Sequence, residues 1–442
     1  LLRALIGSCL LAAAAVGGEV PERTDLVIRD VRVWDGVSDE LQGPGNVLVR
    51  DGLIVTISGE PIAAPEGARV VDGGGRVLIP GLIDVHQHLA IVRGIGDLRN
   101  RYDWMYNGAL SGAEAHRMLL RGFTTVRDLG GPTLGLARAI DEGDIPGPRI
   151  YSSGAFLTQT SGHGDFRNPN DPHPNITGER HIMDRLGWVH IADGVDEVTR
   201  AAREVLRTGA TQLKLMAGGG VASDYDPIES IQYTPEELRA AVVAAENYDT
   251  YVAVHAYTDA AIRQALEAGV KCIDHGMLVE EPTMRLLVQK GAFLSPQVYI
   301  FSGNMDLDWF TDENRRKLRQ VSAGLDRELR LAKEMGAKIV FGTDMFTGDL
   351  WPLQNRELGA RLQWFSSLEV LRQATSTAAE LLALSGSRNP YKRGPLGVIR
   401  EGAYADLLLV EGDPIEDVRV LEDPERNLRL IVKDGAVYKD TL

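Results

Sequence analysis

The chain has 442 residues, 44% of them apolar and 25% charged, with a formal net charge of −15. That length can bury a large core, as one large domain or one large and one small, and the acidic balance excludes a nucleic acid or an anionic membrane as principal partner. Its two cysteines, Cys9 and Cys272, are too few for a disulfide scaffold or a thiolate metal site, so any metal must be held by nitrogen and oxygen.

Residues 1–18, LLRALIGSCLLAAAAVGG, place Arg3 ahead of an apolar stretch ending in small residues. That is the pattern of a secretory leader, and Ile6-Gly7-Ser8-Cys9 resembles a bacterial lipoprotein processing site. A short apolar helix packed on the domain is the alternative. Nothing else approaches the ~18 consecutive apolar residues of a membrane span. The leader predicts a periplasmic or secreted protein with no membrane contact beyond it or a lipid anchor.

Short alternating segments follow at Asp25–Val33, Gly45–Arg50, Leu53–Ser58 and Ala68–Asp72, punctuated by Asp35-Gly36, Asp51-Gly52 and Gly73-Gly74-Gly75. The last fifty residues read the same way, at Ala405–Glu411, Leu428–Lys433 and Ala436–Lys439 with a turn at Asp434-Gly435. This is the pattern of antiparallel strands joined by tight turns. Residues 19–76 and 390–442 are therefore expected to form one small β-sandwich from both termini.

Between them, over 77–389, strands alternate with helices. Strands are expected at Val77–His86, Thr124–Asp128, Arg149–Gly154, Gln212–Met216, Tyr251–His255, Cys272–His275, Ala292–Pro296 and Ile339–Thr343. One helix has Thr234 as N-cap, Pro235 at its first position and Glu237 closing a capping box. Another, Ser376–Leu384, stops before Gly386. Eight strand signals with intervening helices fit an α/β fold of the (β/α)8 TIM-barrel type better than an open sheet.

In such a barrel the chemistry sits at the C-terminal ends of the strands. Those ends carry His86 and His88, then Lys214, His255, His275 and Asp344. His86 and His88 are two apart, so on a strand both imidazoles leave one face and can grip one cation. Alone, the pair fits two strand histidines equally well. Together, six metal-competent residues at five strand ends are hard to obtain by chance. His116, His163, His173, His181 and His190 fall in loops or helices.

The motifs PGLIDVHQH (80–88), QLKLMAGGGVAS (212–223), VAVHAY (252–257), IDHG (273–276), FGTD (341–344) and GVIREGAYADLLLVEGDP (397–414) resemble those of the amidohydrolase superfamily. The resemblance is to its imidazolonepropionase-like branch, with metal-dependent Xaa-Pro dipeptidases, lysine/arginine carboxypeptidases and ochratoxin-type amidases. It implies two divalent metals, zinc by default. His86, His88 and Asp344 would bind one metal, His255 and His275 the other, with Lys214 bridging as a carboxylated lysine. An ammonium has no lone pair for a cation, whereas a carbamate has two anionic oxygens. An unmodified Lys214 paired with Asp344, leaving one metal at most, is the alternative. Asp344 would also act as the catalytic base, passing a proton from water to the leaving amine.

For the substrate, the segment Thr160–Asp165 resembles the TGGHGD loop of this branch, which makes His163 a substrate-contacting and catalytic candidate. Around Gly219 the glycine-rich turn 218–223 can offer backbone N–H groups to a carboxylate, or only permit a tight turn. Tyr225 can donate to the same carboxylate or lie on the surface. Tyr257 stands where relatives often carry a second histidine; a phenol can still donate but cannot carry a proton near neutral pH. Gln87 points away from the metal histidines and is structural. Asp224, Asp226 and Glu229 are either solvated or caps, or favour a cationic substrate. Long loops at 89–107 and 158–193 are expected to shape the pocket. The resemblance implies an enzyme cleaving a dipeptide or an N-acyl amino acid. Alternatives are a cyclic amide, aryl amide or urea hydrolase and an inactive scaffold. A homo-oligomer is expected.

Overall fold

The structure, a computed structural model, describes residues 20–442 apart from 102, 305 and 306. The leader expected over 1–18, with Cys9, lies outside the described residues. In chain order the N-terminal strands are β1 (Leu26–Val33), β2 (Gln42–Arg50), β3 (Leu53–Ser58) and β4 (Arg69–Pro80). The central strands are β5 (Leu82–Gln87), β6 (Phe123–Asp128), β7 (Arg149–Ser152), β8 (Phe156–Thr158), β9 (Val189–Ile191), β10 (Leu213–Met216), β11 (Val252–Thr258), β12 (Cys272–Leu278), β13 (Phe293–Ser295) and β14 (Lys338–Ile339). The chain closes with β15 (Leu407–Val410), β16 (Leu428–Lys433) and β17 (Ala436–Asp440).

The termini do combine, into one hydrogen-bonded sheet in the order β17-β16-β15-β4-β1-β2-β3. It is not wholly antiparallel, because β1 and β4 pair in parallel. Edge strand β3 returns to the segment before β15, where the Ile54 N–H donates to the Ala403 carbonyl at 2.9 Å. Asp51-Gly52 and Asp434-Gly435 form the expected hairpin turns, all four residues having positive φ as a type I′ turn requires. Buried Leu26, Ile28, Val47, Leu78, Leu407 and Leu430 form this unit's own core.

Two expectations about its boundary are corrected. Gly73–Gly75 is no turn; it is a bulge inside the twelve-residue β4, where the register against β1 shifts between Arg29 and Val31. Val77–His86 is also not one strand. Residues 77–80 pair with β15 in the terminal sheet, and the chain passes Gly81 before β5 begins. The boundary therefore falls at Gly81 instead of at residue 77, because the apolar run is shared by two sheets that both bury it.

The central strands are all parallel to their neighbours, in two sheets ordered β5-β6-β7 and β14-β13-β12-β11-β10-β8-β9. Backbone bonds link the sheets: Thr211 N–H to the Ser152 carbonyl at 2.9 Å on one side, and Val85 N–H to the Phe341 carbonyl at 2.8 Å on the other. Near-continuous apolar burial of β10 to β13 suits strands covered on both faces. Helices pack outside; the one at Pro235–Glu246 has the expected Thr234 capping box. The stretch 158–193 is less loop-like than expected, holding two four-residue helices and β9, which contains His190.

Gly81 has no room for a side chain. A Cβ there would lie 2.1 Å from Thr124 Oγ1 and 2.8 Å from its Cβ, and Thr124 is itself buried. Gly81→Ala is expected to lower unfolding stability by about 1–3 kcal/mol, the usual range for overpacking. Adding Thr124→Ala, which removes the closest atoms, is expected to recover part of the loss in urea titrations; an unchanged midpoint in the single variant contradicts the packing account.

Candidate metal centre

Strand β5 delivers His86 and His88 to one place, and both are buried. Asp344 reaches them from the extended segment after β14, its Oδ1 lying 3.4 Å from His86 Nε2 and 3.3 Å from His88 Nε2. The ligand atoms of these three residues all lie within 4.8 Å of one another. The backbone fixes this meeting, since the Asp344 N–H donates to the His86 carbonyl at 2.8 Å. Below it, buried Asp84 accepts from the His86 N–H at 3.0 Å, Gln87 Nε2 at 2.6 Å, Thr343 Oγ1 at 2.7 Å and Gln354 Nε2 at 2.9 Å. Gln87 thus locks the strand from behind instead of entering the site.

The remaining histidines complete a ring of imidazoles. His275 lies 5.3 Å from His86 and 4.4 Å from His255, between ring centroids. His255 Nε2 is 3.2 Å from the Gly219 carbonyl. Burial pushes His86, His255 and His275 below the ordinary histidine range, leaving neutral rings with free lone pairs near neutral pH. The buried Nδ1 atoms of His88 and His275 have no hydrogen-bond partner among the described residues. Neutral imidazoles, unclaimed nitrogens and a carboxylate held low form a donor set that fits a divalent cation. Burial works to raise Asp344, but His86 and the hydrogen bond with His88 hold its carboxyl well below the usual carboxylate range. His275 and Asp344 both have left-handed backbones, φ 75° and 52°, an unfavourable conformation for such residues that clusters at functional sites.

Lys214 lies at the floor, and its partner is not the Asp344 of the unmodified-lysine alternative. Its Nζ is 2.5 Å from Oδ2 of Asp274, not paired with Asp344. Asp274 is fully buried; its Oδ1 is 2.8 Å from Arg127 Nη2 and 3.4 Å from His86 Nδ1. Burial favours the neutral amine and lowers Lys214, opposed by Asp274. Burial would raise Asp274, yet Lys214 and Arg127 hold it well below the ordinary range.

Above the floor opens a cavity of about 760 Å³ lined by all six expected metal residues and by His163, Tyr225 and Tyr257. His163 stacks on His255 at 4.1 Å, and its Nδ1 is 2.7 Å from Ser223 Oγ. Tyr257 packs edge-on to His255 at 4.8 Å, and burial raises its phenol well above the ordinary range, so it stays a donor. The Tyr225 hydroxyl donates to the Arg167 carbonyl at 3.0 Å, joining two loops.

Gly219 does not present its N–H to the cavity. That N–H donates to the Ser230 carbonyl at 3.2 Å, and the Gly220 N–H to Asp226 Oδ2 at 2.6 Å. These two amides are used within the turn, so neither is open to a carboxylate. Asp226 is likewise neither solvated nor a cap: it is buried beneath the turn, 3.6 Å from His163 Nδ1. Glu229 is at the surface, accepting from Gln320 Nε2 at 2.6 Å.

Sequence reasoning missed Asp274, Arg127 and Lys317. Buried Lys317, on the helix Asp312–Ser322, donates to the carbonyls of Gly220, Ser223 and Asp226 at 3.1, 2.9 and 2.8 Å. The signal for Asp274 is in the sequence, as a charged residue inside a strand otherwise wholly apolar before its histidine. Nothing comparable marks Lys317, one cation among many on an exposed-looking helix.

The model of the amidohydrolase family matches residues 77–437. Ochratoxinase of Aspergillus niger is 31% identical over 416 residues, covering 89% of this chain and 82% of that one. Among solved structures, a prolidase complexed with N-methylphosphonate-L-proline superposes with a TM-score of 0.85 at 34% identity, covering 94% of this chain and all of the other. A Xaa-Pro dipeptidase with bound methionine gives 0.82 at 28% identity, with 94% of this chain covered and 100% of that one.

In protein whose Lys214 is unmodified, Asp274→Asn removes the charge that Lys214 and Arg127 share. It is expected to destabilise the fold by about 3–5 kcal/mol, the usual consequence of breaking a buried pair. Urea unfolding checks this, and a loss under about 1 kcal/mol would mean that the cations have other compensation.

Proposed function

The chain belongs to the amidohydrolase family and is a hydrolase acting on C–N bonds, and from that premise we propose that it cleaves a peptide or N-acyl amino acid with two divalent metals bound. The observation that carries this reading is the convergence of His86, His88 and Asp344 at the floor of a cavity large enough for a dipeptide-sized molecule. In this proposal His86, His88 and Asp344 would hold one metal, zinc by preference, and His255 and His275 the other, with Lys214, once carboxylated, as a further anionic ligand. We also read the two parallel sheets, hydrogen-bonded to each other on both sides, as one (β/α)8 barrel.

Bound there, divalent cations supply a polarised carbonyl and a water acidic enough to attack at neutral pH. The protein's own part is proton movement and orientation. Asp344 is ionised at neutral pH, because its carboxyl is held low. It takes the proton of the attacking water and returns it to the leaving nitrogen. Tyr257 keeps its proton and donates to the oxygen that gains charge. His163, stacked on His255 and oriented by Ser223, offers its other nitrogen to the substrate. The aromatic residues Phe301, Trp309 and Phe346 in the cavity wall favour an apolar group on the substrate. Relatives named for prolidase and ochratoxinase activities support an amide with a free carboxylate nearby.

Metal analysis of protein purified with bicarbonate and zinc is expected to give about two equivalents per chain. No retained metal sinks the hydrolase reading, and one equivalent sinks the bridged pair. Asp344→Asn is expected to keep metal and to lower kcat by roughly 10²–10⁴, the range for removing a general base. Near-normal turnover on dipeptides or N-acyl amino acids refutes its role as the base.

A further inference from the structure

A second cavity, of about 560 Å³, opens where the terminal sheet meets the central strands. It shares no residue with the cavity above the metal centre. Arg149, the first residue of β7, lines it. His86 stands near the far end of β5, and β5, β6 and β7 are parallel. The two cavities therefore lie at opposite ends of the strands. The wall of the second one includes Asp141, Tyr391 and Lys433, the last residue of β16.

Lys433 is one of three buried lysines among the described residues, with Lys214 and Lys317. The other two are spent, Lys214 on Asp274 and Lys317 on three carbonyls. Lys433 Nζ has neither a hydrogen bond nor an ion pair among the described residues, and it is not sealed in the core. It opens on the cavity. The carboxylates that face it are engaged elsewhere. Asp406 and Asp434 both hold Arg149, Asp434 at 3.2 Å, and Asp434 also holds Arg23. Asp141 accepts from the Tyr391 hydroxyl at 3.1 Å. Burial, with the Arg149 guanidinium, pushes the Lys433 ammonium down to about 8, against the pull of Asp406, Asp141 and Asp434. Part of it is therefore free amine near neutral pH, and a desolvated amine is a nucleophile for carbonyl groups.

Charge decides which product suits this place. An amide would discard the cation that three carboxylates face, and a carbamate would set an anion among them. An imine keeps a basic nitrogen, and its protonated form keeps the charge. We propose that Lys433 is a covalent binding site for small neutral aldehydes, held as an imine in the cavity between the terminal sheet and the central strands. The amine nitrogen bonds to the carbonyl carbon, and the carbonyl oxygen leaves as water with the two protons of the nitrogen. No oxidant, reductant or further reactant enters. Protonation of the imine from solvent then restores the cation. The site is independent of the amide-hydrolase reading.

The test treats the full chain near neutral pH with benzaldehyde and cyanoborohydride, which fixes each imine as a stable secondary amine. Peptide mass spectrometry then follows the rate at every lysine. Lys271 and Lys290, both exposed, are the references. An ammonium at about 8 holds roughly a hundredfold more free amine than an ordinary lysine. Allowing for slower entry, Lys433 is expected to react about tenfold faster than the references. Its rate is also expected to saturate with benzaldehyde while theirs rise in proportion. Oxidised dextran, a polymeric aldehyde too large for the cavity, is expected to label the references and spare Lys433. Reaction of Lys433 no faster than that of the references overturns the proposal. So does a rate that never saturates, or labelling by the polymer at the rate of the references.

Discussion

Everything at the floor of the site depends on one buried carboxylate, Asp274, flanked, while Lys214 is unmodified, by two buried cations. Three fully buried charges within hydrogen-bond distance are tolerable only when each is compensated, because desolvation of an isolated ion costs several kcal/mol. Arg127 spreads the compensation. Its Nε donates to the Val85 carbonyl at 2.6 Å, its Nη1 to the Tyr251 hydroxyl at 3.2 Å and its Nη2 to Asp274 at 2.8 Å. One side chain from β6 therefore ties β5, β12 and the start of β11. The same carboxylate faces His86 Nδ1 at 3.4 Å, which directs the ring's other nitrogen at Asp344. Such a partner fixes tautomer and orientation of a ligating imidazole. Structural support and ligand orientation are the same set of contacts.

Backbone conformation takes over where the strands end. His275, inside β12, and Asp344, in the segment after β14, are both left-handed, which costs of order 1–3 kcal/mol per residue. The strain is held by its surroundings: Asp344 by its N–H bond to the His86 carbonyl, and the strand beneath by the five donors gathered on Asp84. Burial raises Asp84 above the ordinary aspartate range despite those bonds. The site is built on strand ends because only there can side chains converge while the backbone remains anchored one residue away.

How much of this was legible in the sequence varies with the range of the interaction. The alternation of strands and helices and the meeting of His86, His88 and Asp344 were readable, because each follows from a local pattern. The tight turns at Asp51-Gly52 and Asp434-Gly435 were readable for the same reason. The strand boundary at Gly81 was not, since Val77–Val85 is one apolar run whichever sheet its halves join. Asp274 was legible as an oddity without a role. Its pairing with Lys214, sixty residues away, depends on the register of three strands. Lys317 was invisible, because its burial arises only when its helix closes over the turn at 220–226.

Lys317 also explains why the wall can vary while the floor cannot. The turn after β10 has its carbonyls gathered by the Lys317 ammonium and its Gly220 amide held by Asp226. Asn314 on the same helix donates to the Val221 carbonyl at 2.7 Å. The clamp is to backbone, so it holds the turn's path while the side chains of Ala222 and Asp224 face the cavity. A wall fixed through its main chain can change at Ala222 and Asp224 without moving the turn. The floor has no such latitude, because its side chains are both the support and the chemistry. Tyr257 sits at the border of the two regimes: it is packed against His255 and His275 and also lines the cavity. A phenol there keeps the ring packing that holds both histidines and supplies a fixed proton donor, so a change at this position that keeps a ring leaves His255 and His275 in place.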